Sequence, residues 1–191
     1  MGSEMCIRDR GDWHGRDAAP ALATAVKLNS MAWLHRLAAA VDRAPCSAVA
    51  AGMVSLGFYL VSLAPGLTWA HHSADGGELA AAAHVLGVAH PPGYPTYLLL
   101  AHPFTLLPLG EVATRTNLFS AACAAGATAL LAWSIARAVA SRAAAIGAAL
   151  TLAFSPLLWS QAIVTEAHAL NGLFVTLLLV IASPARGRSP T

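Results

Sequence analysis

Residues 94–109, YPTYLLLAHPFTLLPL, decide how this chain meets a membrane. The stretch is apolar but short for a helix that must cross a hydrocarbon core about 30 Å thick, which takes roughly 17 to 25 residues. Pro95, Pro103 and Pro108 would each take a donor out of such a helix, and His102 sets a polar ring in its middle. The basic residues decide between crossing and lying flat. If the stretch lies in the interface, every one of the 11 Lys and Arg residues except Arg115 falls on one side, among them Lys27, Arg36, Arg43, Arg137, Arg142, Arg186 and Arg188. That is the asymmetry expected of a cytoplasmic face. If the stretch crosses, Arg137 and Arg142 change sides and the bias weakens. We therefore expect an interfacial segment and a cytoplasmic N-terminus.

Outward from this stretch, about 46–67, 116–136, 143–159 and 167–183 read as transmembrane helices. The fold class expected is all-α integral membrane, with about four spans and a long first outer loop, 68–115, holding two juxtamembrane helices. One runs over about 76–86 and the other is the amphipathic stretch itself. Composition agrees: of 191 residues 57% are hydrophobic and only 10% charged, with mean hydropathy +0.62, too apolar for a water-soluble domain. The net charge of +2 comes without any basic run interleaved with aromatics, so nucleic acid is excluded as a partner. Cys6, Cys46 and Cys123 form no CxxC and suggest neither disulfides nor zinc. The small residues around Ala122 and Gly126 suit close helix packing in lipid.

The start of the chain is unlike the rest. MGSEMCIRDRGDWHGRDAAP is polar and mixed in charge, and SEMCIRDR resembles translated sequencing-adapter sequence. Residues 1–30 are accordingly read as an artefact or leader, Met31 as a native start, 31–183 as the membrane domain and 184–191 as a cytoplasmic tail.

With this topology Asp75, Glu78, Glu111 and Glu166 all emerge on the outer face and could share one site. Asp75 and Glu78 stand in D-x-x-E spacing at a helix start, which suits a capping box and suits a positioned base equally well. In the elbow His90-Pro91-Pro92-Gly93-Tyr94-Pro95 the prolines fix φ, and His90 or Tyr94 can line a site. His71, His72, His84 and His90 lack H-x-x-x-H spacing and read as hydrogen-bonded or interfacial side chains, so no metal ligands are assigned. Arg115 either snorkels to headgroups or offers its fork to a phosphate. Glu166 fits a carboxylate at a helix N-terminus, Asn171 could bond across helices, and Trp69 and Trp159 fit an aromatic belt.

Taken in order, LAPGLTW, D-x-x-E, LGVAHPPGYPTYLLL, TRTNLFSAA and FSPLLWSQAIVTEAHALNGLF resemble the N-terminal part of a multi-span O-mannosyltransferase-like family that long carried only a domain-of-unknown-function label. The family is similar to the GT-C class of polyprenyl-phosphate-sugar glycosyltransferases. The resemblance covers about 64–179 and implies an N-terminal fragment of a longer enzyme. By it, Asp75 is the catalytic base, Glu78 its companion, and Arg115 and Glu166 are substrate-binding residues; His90 and Tyr94 of the elbow are expected to bind substrate beside them. The implied reaction moves a sugar, mannose among the candidates, from a polyprenyl-phosphate donor to a hydroxyl of a protein or glycan acceptor at the extracytoplasmic face of a bacterial inner membrane. Membrane lipids and the lipid-linked donor are the implied partners, and no cofactor is predicted, with divalent-metal dependence left open. Two departures bear on substrate preference. Ala167-His168 stands where relatives carry an aromatic, and His71-His72-Ser73-Ala74 precedes Asp75 in place of a bulky apolar pair. The competing readings are a transporter or channel fragment, disfavoured because the acids sit at span edges and not within spans, and a non-catalytic assembly subunit.

Overall fold

A long central helix takes its neighbours against a face of small side chains. It is α4, Val112–Ala138, in a computed structural model that describes residues 44–139 and 141–183, all within the unit Ala40–Thr191. The leader 1–30, Met31, Lys27, Arg36, Arg43, Arg186, Arg188 and the tail 184–191 lie outside the described residues. The described residues contain helices and no strands. In chain order they are α1 (Ala44–Val61), a 3₁₀ turn (Ala70–His72), α2 (Gly76–Val85), α3 (Pro95–Thr105), α4, α5 (Arg142–Ala153), α6 (Pro156–Ala162) and α7 (His168–Ala182).

The 27 residues of α4 give it about 40 Å of length, enough to cross a bilayer. Ala121, Ala124, Ala132 and Ala136 are buried along it, together with Thr116, Asn117, Ser120 and Thr128. Side chains this small let helix backbones approach, which is what association in lipid requires when no hydrophobic force separates helix from solvent. Against α7 the fit is close at Gly126, where a Cβ would come within 3.1 Å of a Leu173 methyl.

Among the described residues two helices, Ala44–Val61 and Val112–Ala138, are long and apolar enough to span. The expected third span is instead bent by 68° between α5 and α6. Pro156 is the cause: it lacks an amide donor and its ring excludes the carbonyl four residues back. Ser155 then starts α6 by accepting from the Leu158 amide at 3.3 Å, and Tyr59 of α1 donates its hydroxyl to the Ala153 carbonyl at 2.9 Å. The fourth expected span is α7, with 15 residues. The first ends at Val61, ahead of the 63–67 segment, where Pro65-Gly66 leaves the helix.

Both helices expected in the 68–115 stretch form. With 11 residues α3 is only about 17 Å long, too short to cross. Pro95 occupies its first turn, where a missing amide costs nothing, and Tyr94 enters it with φ +45°. It pairs with α2 through ring nitrogens: His102 Nδ1 donates to the Ala83 carbonyl at 2.8 Å, and His84 Nδ1 lies 3.3 Å from the Thr105 hydroxyl. Between them the elbow closes by a bond from the Gly93 amide to the His90 carbonyl at 2.7 Å, with Gly93 at φ +84°.

Candidate functional site

The site begins at the first turn of α2. Asp75 is the N-cap residue by position, but its backbone is helical (φ −89°, ψ −6°) and its side chain makes no capping bond. An N-cap carboxylate reaches the N2 or N3 amide from an extended backbone, so the capping reading of D-x-x-E gives way here. Glu78 does not reach back either. It reaches forward to the elbow: Oε1 accepts the His90 amide at 2.6 Å and Oε2 faces His90 Nδ1 at 2.9 Å. The other ring nitrogen, Nε2, lies 3.6 Å from Asp75 Oδ2. Tyr94 sets its ring edge-on to the imidazole, with centroids 5.5 Å apart. Asp75, Glu78, His90 and Tyr94, read separately in the sequence, are thus one cluster.

The electrostatics follow from these contacts. The His90 ring bond, then its amide, holds the Glu78 carboxyl below the usual carboxylate range. In return the bond to Glu78 raises the His90 imidazole above its ordinary value, against a smaller opposing effect of burial.

Glu166 closes the other side. It sits in the loop before α7, only 6% exposed, with His168 Nδ1 3.7 Å from Oε2. Burial raises its pKa above 4.5; the charge of Asp75 pushes the same way and His168 opposes. Asp75 and Glu166 are therefore close enough to feel each other. A carboxyl whose folded pKa is raised stabilises the protein below its unfolded pKa, and that contribution is lost as pH rises through the folded value. Glu166→Gln should therefore flatten the decline of melting temperature between mildly acidic and neutral pH. A variant whose thermal melts in detergent run parallel to the parent's across that range would refute the assignment.

A buried polar network, unread from the sequence, fixes the Glu166 loop. Asn117 Nδ2 donates to the carbonyls of Ala64 (2.9 Å) and Gly66 (3.2 Å), while its Oδ1 accepts from the Thr165 hydroxyl at 2.6 Å. Thr165 also meets the Thr116 hydroxyl at 2.6 Å, and Ser73 Oγ donates to the Thr165 carbonyl at 3.4 Å. Gly76 makes that last approach possible: a Cβ there would lie 2.5 Å from Ser73 Oγ and 3.2 Å from the Thr165 carbonyl oxygen. The signal was the polar pair Thr116-Asn117 at the head of an apolar run. Asn171, the expected cross-helix bond, is exposed on α7.

Two expected members stand apart. Arg115 turns its fork onto the α3–α4 loop, donating to the carbonyls of Thr105 and Leu109 (2.6 Å each) and Gly110 (2.9 Å). Glu111 lies against Gly66 and lines a separate cavity of about 410 Å³ with Leu67 and His84. His71 and His72 lie in the 3₁₀ turn, where the His71 carbonyl accepts from Gln161. Trp69 is 85% exposed, whereas Trp159 donates Nε1 to Ser62 Oγ at 3.1 Å. Among the described residues no group of three His, Cys, Asp or Glu is arranged to hold a metal ion. A second cavity, about 520 Å³, runs between α4 and α5–α7; Leu152, Leu157, Leu158 and Val175 make it apolar, and Gln161 and His168 bring polar groups to its wall.

Residues 75–186 match the family described as Protein O-mannosyl-transferase TMEM260 N-terminal domain. The chain is 48% identical over 108 residues to "Protein O-mannosyl-transferase TMEM260" of Mus musculus, an alignment covering 56% of this chain and 15% of that protein. It is 32% identical over 110 residues to "Protein O-mannosyl-transferase tmem260" of Dictyostelium discoideum, covering 56% of this chain and 13% of that protein. It thus spans less than a sixth of the length of these relatives. Both are eukaryotic, and the bacterial membrane expected from the sequence finds no support in them. No solved structure matches the chain.

Proposed function

This chain belongs to the Protein O-mannosyl-transferase TMEM260 N-terminal domain family, and from that premise we propose that it carries the acid-bearing first loop of a membrane mannosyltransferase of GT-C type. The reaction is transfer of mannose from a polyprenyl-phosphate donor to a protein hydroxyl at the extracytoplasmic face. One observation carries this reading: Asp75 is freed from capping, oriented toward His90 and placed within electrostatic reach of Glu166. A carboxylate that makes no capping bond and is open to water on one side suits a general base for a hydroxyl.

In the proposed step Asp75 removes the hydroxyl proton, the oxygen pair bonds to the anomeric carbon, and the carbon–phosphate-oxygen bond breaks with its pair leaving on the phosphate. The cavity between α4 and α5–α7 supports a lipid-borne donor. Its apolar walls suit an isoprenoid chain, and His168 links it to Glu166 at the site. Arg115 then serves to close the α3–α4 loop, and contact with the leaving phosphate falls to His168 and Gln161. The placement of α3 in the interface, with the N-terminus cytoplasmic, belongs to the same proposal.

The donor is the direct test. The full reading frame carrying this chain, reconstituted in vesicles, should label an acceptor protein from radiolabelled polyprenyl-phosphate mannose and not from nucleotide-linked mannose. Labelling from the nucleotide sugar with the lipid donor inert would reverse the assignment.

A further inference from the structure

Glu78 spends both carboxylate oxygens on one residue, His90. A carboxylate only accepts hydrogen bonds, so the nitrogen facing it, Nδ1, carries the ring proton. In the neutral imidazole Nε2 is then a bare lone pair, and the group opposite it is Asp75 Oδ2 at 3.6 Å. That separation is just beyond a hydrogen bond and closes with a small side-chain movement. The ring has little freedom to turn away, with its own amide pinned to Glu78, Pro91 and Pro92 following, and Tyr94 against its edge.

We propose that Glu78 and His90 are a positioning pair acting through Asp75: Glu78 fixes the imidazole tautomer so that Nε2 receives the proton that Asp75 takes from the acceptor. This rests on the transferase reading for the reaction but not for the geometry. The hydroxyl proton passes to Asp75 as the new bond to the anomeric carbon forms and the phosphate departs. It then moves to Nε2, leaving an imidazolium held by the Glu78 carboxylate and an Asp75 ready for the next acceptor; water removes the proton afterwards. The charged and titratable groups facing His90 are Asp75 and Glu78 from the start of α2 and Tyr94 from the start of α3. Glu78 is what sets the ring's behaviour. Its bond raises the imidazole pKa, so the relay, which needs a neutral ring, gains strength as pH rises through that value.

The test uses the full reading frame with ¹⁵N-labelled histidine in nanodiscs, the His90 signal being assigned by its absence from His90→Gln. At alkaline pH this ring should be in the Nδ1–H form. In Glu78→Gln that preference should be lost, the His90 titration should move to lower pH, and the acid limb of the transfer–pH profile should move with it. Imidazole in the buffer should restore transfer to His90→Ala, which a purely structural histidine would not allow. Three results each overturn the pair: an Nε2–H ring in the parent, a tautomer unchanged in Glu78→Gln, or an acid limb that stays put while the ring titration moves. Failure of the transferase reading shows separately, as no transfer from the lipid donor by the parent, and failure of Asp75 as the base as full transfer by Asp75→Asn.

Discussion

Asp75→Asn, made in the full reading frame carrying this chain, is expected to lower mannosyl transfer by roughly 10²- to 10⁴-fold, the usual contribution of a positioned general base, while the protein inserts and melts as before. Both halves of that expectation come from the same geometry. Asn caps helices as well as Asp does, and Asp75 makes no capping bond here, so the amide removes basicity and leaves the first turn of α2 as it was. The side chain is 42% exposed and faces the His90 ring at 3.6 Å, a contact whose loss hardly shifts stability at an exposed position.

The measurement is initial-rate transfer from the lipid donor, with melting temperature in the same detergent as control. Normal transfer with normal melting would remove Asp75 from the chemistry and leave the loop a docking surface. Glu78→Gln gives a useful contrast. It keeps the base but frees the imidazole, so its loss should be smaller than that of Asp75→Asn and dependent on pH.

Much of this arrangement was legible as local pattern. The D-x-x-E spacing, the proline elbow and the short apolar stretch after it each encode local backbone, and α2, the turn at Gly93 and α3 form within a few residues of where the pattern puts them. Local pattern could not say what Glu78 would bond. The capping box and the forward reach to His90 place the same residues at the same spacing; the choice falls to the tertiary return of the chain 12 residues later, which brings an amide and a ring nitrogen together at one carboxylate. Arg115 misled for a related reason. An isolated outer arginine suggests a phosphate ligand, but a loop ending in Gly110 presents unpaired carbonyls within its reach, and a planar fork satisfies three of them at once. The α5–α6 bend was written in Ser155-Pro156, which hydropathy alone reads through.

The second large effect is expected at a residue with no chemistry of its own. Asn117→Leu, close to isosteric, should lower stability by about 3 kcal/mol, since each buried group left without a partner costs roughly 1–3 kcal/mol. The half-buried Ala64 and Gly66 carbonyls lose their side-chain donor, and the buried Thr165 hydroxyl loses its Asn117 acceptor while Thr116 stays beside it. Asn117 is 2% exposed and leucine keeps its volume, so no water can enter the place its amide leaves. For a domain of this size 3 kcal/mol corresponds to a fall in melting temperature of about 6–12 °C. The loss should reach function before unfolding does. Thr165 is the shortest polar link between α4 and the Glu166 loop, beside the longer 3.5 Å contacts of Ser120 with the Glu166 backbone, and its carbonyl accepts from Ser73 at the threshold of α2. Releasing it uncouples Glu166 from Asp75, so transfer should drop at temperatures where the variant is still folded. Thr165→Val, which removes one hydroxyl and keeps the shape, should show the same defect in milder form. A melt of Asn117→Leu within 2 °C of the parent would mean that Asn117 does not hold the site together, and that apolar packing and the remaining bonds of Ser73 and Ser120 position the loops carrying Asp75 and Glu166.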